Sequence, residues 1–423
     1  MRKRDDKQHG DDTAGNGLLS RRQWLQLGAG TAAAAVVVPV LAKESTAQEP
    51  WRSGSGAPPS VYGDRPSLAS LQREQISVHP LGPQAGASST PLQLLNGSIT
   101  PNGLHFERHH SGIPEIDPAS HKLTVHGLVA RPLTFDYDAL LRYPMQSRLL
   151  FLECSGTSYR NTLAGALDET AGGLHGLISS AEWTGVPLHY LLDEAGVDVA
   201  AQWVIAEGAD AAGMNRSVPL SLALDGAMVA LYQNGEPLRR SQGFPMRLLV
   251  PGCEGNLSVK WLRSLKLLDQ PAQTREETSK YTDLRLDGKA AQFSLRMQAK
   301  SVITSPSGKM TLEQRGVYEI NGLAWSGNGS IRRVEVSADG GRSWADAMLQ
   351  SEPGPMRSVR FRIPWRWQGQ SAVLQSRAVD SEGNVQPTRA KALTNVAPGF
   401  SYHYNGIQSW QVNSDGSVRN VYA

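Results

Sequence analysis

Cysteine is nearly missing from this sequence. Only Cys154 and Cys253 occur in 423 residues, and neither belongs to a Cys-x-x-Cys-His run. Covalent attachment of a c-type haem is therefore excluded, and two thiols cannot hold an iron–sulfur cluster. Net charge is scarce as well: 42 Lys and Arg stand against 39 Asp and Glu, a formal +3. Removing residues 1–47 takes away seven cations and five anions and leaves about +1. That balance provides no sequence-wide basic surface for nucleic acid. No internal repeat is present, which excludes solenoid architectures. Redox chemistry in this chain would have to rely on a bound group.

The N-terminal region indicates where such a group would be acquired. Ser20-Arg21-Arg22-Gln23-Trp24-Leu25 is a twin-arginine pattern, followed by a weakly hydrophobic run from Leu25 to Ala42. Together they read as an export signal spanning residues 1–47, with Val40-Leu41-Ala42 and Ser45-Thr46-Ala47 as alternative cleavage sites. The 18-residue run is also long enough for a membrane anchor, which is the alternative reading. The twin-arginine route carries folded proteins, commonly because a cofactor is inserted before export. A periplasmic protein with a bound cofactor is the expectation. In an oxidising compartment two cysteines most simply form a disulfide, and spacing alone leaves that pairing open for Cys154 and Cys253.

Three regions follow the signal. Residues 48–99 are rich in Pro, Gly, Ser and Gln and read as an irregular arm wrapped over a domain. Residues 100–290 mix short alternating strands, such as KLTVHGLV and SRLLFLE, with helical stretches such as PLHYLLDEAGV and PLSLALD, the pattern of an α+β domain. Residues 291–423 carry alternating runs ending at turns. Asp339-Gly340-Gly341 separates two of them as a hairpin signal, because glycine accepts positive φ without steric cost. This last region reads as an immunoglobulin-type sandwich.

Five stretches of the middle region place polar groups where chemistry is conceivable. In LHFERHHSGIP, His105 and His109 have the i, i+4 spacing of a helical zinc pair, but the flanking Gly and Pro favour a polar loop. In FLECSGTSYRN, Cys154 ends an apolar strand before a tight turn; its thiolate would suit a transition metal, or a nucleophilic role if a base stood nearby. Glu182-Trp183-Thr184-Gly185-Val186-Pro187-Leu188 reads as the opening of an apolar helix packed into the core. From Gln242 through Arg247 to Ser258-Val259-Lys260-Trp261, an apolar strand and a glycine-rich loop lead to a hydroxyl and an ammonium, a combination that suits a phosphate. The fifth, EETSKYTD, carries Tyr281, which reads as a half-buried ring or a hydrogen-bond donor.

In order and spacing these stretches resemble the sulfite oxidase family of molybdenum enzymes, over about residues 100–415. The resemblance implies an α+β molybdopterin domain followed by an all-β immunoglobulin-like dimerisation domain. It implies that Cys154 ligates molybdenum beside one molybdopterin, rather than forming a disulfide. Phe106, Glu107, Arg108, His109 and His110 match the pterin-contacting segment. Arg247, Ser258, Val259 and Lys260 match the pterin and phosphate contacts, with Asp210 and Gln242 at further pterin positions. Arg108, Tyr281 and Arg160 are the implied substrate-facing residues.

Departures from the family pattern narrow the reading. Sulfite oxidases keep an arginine four residues after the cysteine, where this chain has Ser158, with Arg160 two positions later. A pterin-pocket histidine is replaced by Gln242, and another anion-pocket arginine corresponds to a non-arginine position around His403 to Asn405. Each lost charge-assisted hydrogen bond would cost sulfite on the order of 1.5–3 kcal/mol. LHFERHHSGIPEIDP, LECSG, EETSKYTDL and AKSVITSPSGK resemble more closely the SoxC-type molybdenum subunit of sulfane dehydrogenase. Its substrate sulfur sits on the cysteine of a carrier protein, and its electrons pass to a c-type cytochrome subunit. The resemblance therefore implies oxygen-atom transfer from water to sulfur, one molybdenum per chain, no haem in this chain, and a homodimer within a hetero-oligomer. The alternatives are a dehydrogenase of free sulfite and, more remotely, a noncatalytic binding module.

Overall fold

The computed structural model describes residues 15–19, 23, 58–63, 71–78, 84–292, 294–394 and 403–423. The two arginines of the twin-arginine pattern, the run that follows and both cleavage sites lie outside them. No helix among the described residues is long and apolar enough to cross a membrane.

The arm is more regular than its composition implies. Strands β1 (Glu74–Val78) and β2 (Gly86–Ser89) form an antiparallel sheet with β3 (Glu107–His109), so the arm borrows a strand from the following domain. Five residues and four residues are too few for an independent hairpin, and the third strand supplies the missing ladder.

The middle domain is built on two five-stranded sheets. Its strands are β4 (Lys122–Gly127), β5 (Leu133–Asp136), β6 (Gln146–Glu153), β7 (Ile178–Pro187), β8 (Trp203–Gly208), β9 (Asn215–Pro219), β10 (Met228–Gln233), β11 (Glu236–Pro237), β12 (Arg247–Leu249) and β13 (Leu262–Leu268). One sheet runs β11-β10-β7-β6 with β12 also on β10; the other runs β5-β4-β13-β8-β9, with β4 and β13 parallel. Glu182 and Trp183, expected at a helix start, lie within β7, where the exposed Glu182 alternates with the fully buried Trp183. The helix opens one step later, at Leu188–Ala195, burying Leu188, Leu191, Leu192 and Ala195 along one face and ending at Gly196 with φ +69°.

The C-terminal region is the expected two-layer sandwich. After a small hairpin, β14 (Thr282–Leu284) and β15 (Ala290–Gln292), come β16 (Lys300–Ser305), β17 (Gly316–Trp325), β18 (Ile331–Ser337), β19 (Ala345–Asp346), β20 (Met348–Leu349), β21 (Val359–Trp367), β22 (Ala372–Asp380), β23 (Ser409–Val412) and β24 (Val418–Val421). They form antiparallel sheets β16-β17-β21-β20 and β19-β18-β22-β23-β24. The Asp339-Gly340-Gly341 turn lies between β18 and β19, with both glycines at positive φ. Residues 15–19 pack here too: Leu18 is buried in the sandwich core and pairs with Trp365.

Candidate active site

Strand β6 delivers the cysteine. Leu150 and Leu152 point into the core shared with Trp183, Cys154 continues that face, and Phe151 points oppositely into the sandwich core. Beyond Glu153 the chain turns: Thr157 N donates to Cys154 O at 2.9 Å, and Ser158 takes φ +69° with its hydroxyl 2.6 Å from His175 Nδ1. Cys154 and Cys253 are both free thiols, so no disulfide forms. Burial pushes the Cys154 thiol up, while the backbone at Gly156 and the Arg108 charge pull it down. Ligation of a cation would supply what burial opposes, because a coordinating thiol is deprotonated outright.

The thiol opens on a cavity walled by segments from both sheets and by the loop that carries Tyr281. Of the residues singled out in the sequence, Phe106, Arg108, His109, His110, Cys154, Asp210, Gln242, Arg247, Ser258, Val259, Lys260 and Tyr281 all line it. Glu107 and Arg160 do not. Glu107 lies just behind the wall, accepting from Arg73 and holding the His109 ring at 3.2 Å. Arg160 is turned away, to Gly173 O at 3.4 Å and Glu169 at 3.3 Å. His403, Tyr404 and Asn405 also stay off the cavity, with Asn405 bonded to Ala299 O at 3.2 Å.

Lys260 organises one end. Its ammonium donates to Arg108 O and Ser241 O, both at 3.1 Å, and to His109 Nδ1 at 2.8 Å. An ammonium only donates, so Nδ1 accepts, and the Nε2–H of His109 faces Glu107. Burial and the nearby Arg247 hold the Lys260 pKa well below the usual lysine range. Burial also opposes the charge on Glu107, yet hydrogen bonds from His109 and Ser241 together with Arg73 bring it down to about 2. Arg247 donates to Gln242 O at 3.1 Å and Ser258 O at 2.7 Å, and lies 5.2 Å from the Trp183 ring centre. Gly243 is required between them: at φ +108° it admits no ordinary side chain, and a Cβ would stand 3.1 Å from the Cβ atoms of Arg247 and Lys260.

Tyr281 closes the other end. Its hydroxyl is 3.4 Å from His110 Nε2, and its ring lies under the Arg216 guanidinium at 4.5 Å. Burial brings His110 down to about 4 and pushes the Tyr281 phenol up, so both are neutral near pH 7. The His105–His109 pair makes no metal site. His105 stacks on Phe106 and meets Trp183 edge-on at 5.6 Å, and among the described residues no group of three His, Cys, Asp or Glu could hold a metal.

The cavity fits an anionic, phosphate-bearing cofactor whose metal takes a thiolate. Arg108, Arg247 and Lys260 outnumber Asp210 on its wall. Arg247 Nε is buried without a partner, a donor whose burial an added acceptor would offset. Ser258 Oγ accepts from Val250 N at 3.0 Å, leaving its O–H to donate. Three contributors escaped the sequence reading. Arg73 comes from the arm; Arg216, fully buried on β9, bonds Asn256 and pairs with Glu277 at 3.6 Å; Asn256 itself lines the cavity. A single arginine in a polar arm or an alternating strand carries no motif that would have singled it out.

Known proteins share this order of domains. The "oxidoreductase molybdopterin binding domain" matches residues 110–276 and the "Mo-co oxidoreductase dimerisation domain" residues 291–409. Mouse mitochondrial sulfite oxidase is 32% identical over 73% of this chain and 61% of its own length, and chicken sulfite oxidase 31% identical over 72% of each. The chain thus spans about three fifths of the mouse enzyme it matches. The crystal structure of the sulfane dehydrogenase SoxCD from Paracoccus pantotrophus is similar at a TM-score of 0.87, with 42% identity over 90% of this chain and 98% of that one. With a thiol, a cavity lined by Arg108, Arg247 and Lys260, and a sandwich in matching order, this chain belongs to the sulfite oxidase family of molybdopterin oxidoreductases.

Proposed function

We propose that the chain is the molybdenum subunit of a periplasmic sulfane dehydrogenase, oxidising sulfur carried on the cysteine of a partner protein. The observation that carries this reading is the convergence of Cys154, Arg108 and the His110–Tyr281 pair on one cavity, in a chain 42% identical to a sulfane dehydrogenase. The twin-arginine pattern supports the compartment.

A molybdenum cofactor would be held by Cys154 at the metal and by Arg247, Ser258 and Lys260 at the pterin and phosphate, and would supply two-electron oxygen-atom transfer. The net step adds one oxygen from water to sulfur and releases two protons and two electrons. Arg108 and the neutral Tyr281 hydroxyl orient the sulfur species and stabilise the oxyanion as it forms. His110, kept neutral by burial, holds the tyrosine hydroxyl. With Arg160 turned away and Ser158 facing His175, the cavity has fewer cations for a small free anion, which favours sulfur presented on a carrier. In this reading the electrons leave singly to a c-type cytochrome partner.

The test compares wild type with Cys154→Ser for molybdenum and pterin content and for reduction by carrier-bound persulfide or free sulfite. The reading expects about one molybdenum per chain, lost activity in the variant, and carrier persulfide as the better reductant. A molybdenum-free wild type would sink it, and preference for sulfite would shift the assignment to a sulfite dehydrogenase.

A further inference from the structure

Strand β6 is a wall shared by two domains. Leu152 and Cys154 face the cavity, while Phe151 and Glu153 face the sandwich. Glu153 is fully buried, and its carboxylate ends on the sandwich domain. Oε1 accepts from Lys300 Nζ at 2.9 Å, and Oε2 from Trp325 Nε1 at 2.6 Å. Lys300 and Trp325 lie directly opposite each other, at the first residue of β16 and the last of β17, so one rung of the sandwich grips both carboxylate oxygens. All three side chains are buried. A buried ion pair is weak evidence for stability, since an apolar replacement of both partners is often neutral. Its place in the chain suggests another use: the carboxylate is anchored one residue before the thiol. The backbone on the other side is equally confined, because a Cβ at Gly255 would stand 2.8 Å from Glu153 O.

We propose that Lys300 and Trp325 are positioning residues for the reaction, fixing Cys154 through Glu153, so that the metal site is incomplete without the sandwich domain. This rests on the reading of Cys154 as the metal ligand. Neither residue touches the cavity. They act by denying the end of β6 the rotation and slip that would move Sγ, and displacement of about 1 Å in a reacting constellation can cost on the order of a hundredfold in rate.

The test uses Lys300→Arg, the double variant Glu153→Leu with Lys300→Met, and Trp325→Phe. Two readouts are taken. Metal-free protein is treated with iodoacetamide and Cys154 alkylation followed by peptide mass; cofactor-loaded protein is assayed for kcat and KM with sulfite as probe. Expected are near wild-type behaviour for Lys300→Arg, and for the other two a native thermal transition, several-fold faster alkylation, and kcat down about tenfold at unchanged KM. Wild-type alkylation and kcat in the folded double variant and Trp325→Phe would overturn the proposal. So would a rise in KM alone, or failure of both variants to fold, which would make the pair a folding element. A wild type without molybdenum would defeat the functional reading while leaving the alkylation result to decide this one.

Discussion

Replacing Arg73 by alanine tests whether the arm is part of the site. Its guanidinium donates to His105 O at 3.2 Å and to Glu107, whose other oxygen faces the Nε2–H of His109. Arg73 and Glu107 side chains are 29% and 13% exposed, so solvent screening is moderate. The Glu107 pKa of about 2 reflects burial opposed by His109, Ser241 and Arg73 together. Giving Arg73 a share of that shift, plus one hydrogen bond to His105, yields a loss of about 1–2 kcal/mol at neutral pH. A domain of this size should then unfold about 2–8 °C lower, at about 2–4 °C per kcal/mol. The sign follows from the depressed carboxyl: its stabilisation is present above the unfolded value near 4.5 and is lost as pH falls from there to about 2. The gap between wild type and Arg73→Ala should be full at pH 7 and narrow below 4.5. Differential scanning of metal-free protein from pH 7 to 3 reads this directly. A gap that stays constant with pH, or no gap at all, would refute the Arg73–Glu107 coupling.

Lys260→Met should cost the metal-free fold about 1–3 kcal/mol, because Arg108 O, Ser241 O and His109 Nδ1 lose their donor. Its retention of the phosphate-bearing cofactor should also fall about 10–100-fold, measured as pterin retained on dilution. Acid should destabilise the metal-free protein well before the carboxylates titrate. Burial holds His105 and His175 down to about 3, so below pH 6.5 the unfolded chain binds protons that the native state refuses. Stability falls from pH 6.5 towards 3 by about 1.4 kcal/mol per unit per histidine. Burial raises Glu254 to about 8, so its contribution runs oppositely, declining as pH rises from about 4.5 to 8. Urea midpoints should therefore rise between pH 4 and 6.5; a flat profile over that range would contradict the burial of the two histidines as neutral rings.

The architecture was legible where its signals are local. Alternation and the Asp339-Gly340-Gly341 turn identified the sandwich, and the apolar run into Cys154 identified β6. The arm was not legible, because β1 and β2 are short strands completed by a third strand from the next domain. Trp183 was misplaced into a helix because a run such as Trp-Thr-Gly-Val-Pro-Leu ends a strand and begins a helix without a cap residue; no side-chain cap hydrogen bond marks Leu188. Among the predicted site residues, all but Glu107 and Arg160 fell into one cavity, which strand ends and loops from six segments of the chain line together. Arg160 did not: its guanidinium pairs with Glu169 at 3.3 Å. Proximity in sequence to the cysteine gave it no direction.

What the sequence could not show is the side of β6 that faces away from the chemistry. Period-two alternation assigns Glu153 and Cys154 to opposite faces, but a single chain does not say which other domain covers the second face. A carboxylate there would ordinarily mark solvent, because isolated charges are costly to bury. It is buried here because Lys300 and Trp325, 147 and 172 residues downstream, satisfy both oxygens. The same reasoning applies to Ser158 and His175, whose bond continues through Gln408 of the sandwich domain at 3.0 Å. The loop carrying the thiol is thus held from behind at two points by residues of the C-terminal domain. The contacts behind the cysteine therefore run across the two regions that the sequence suggests as separate domains.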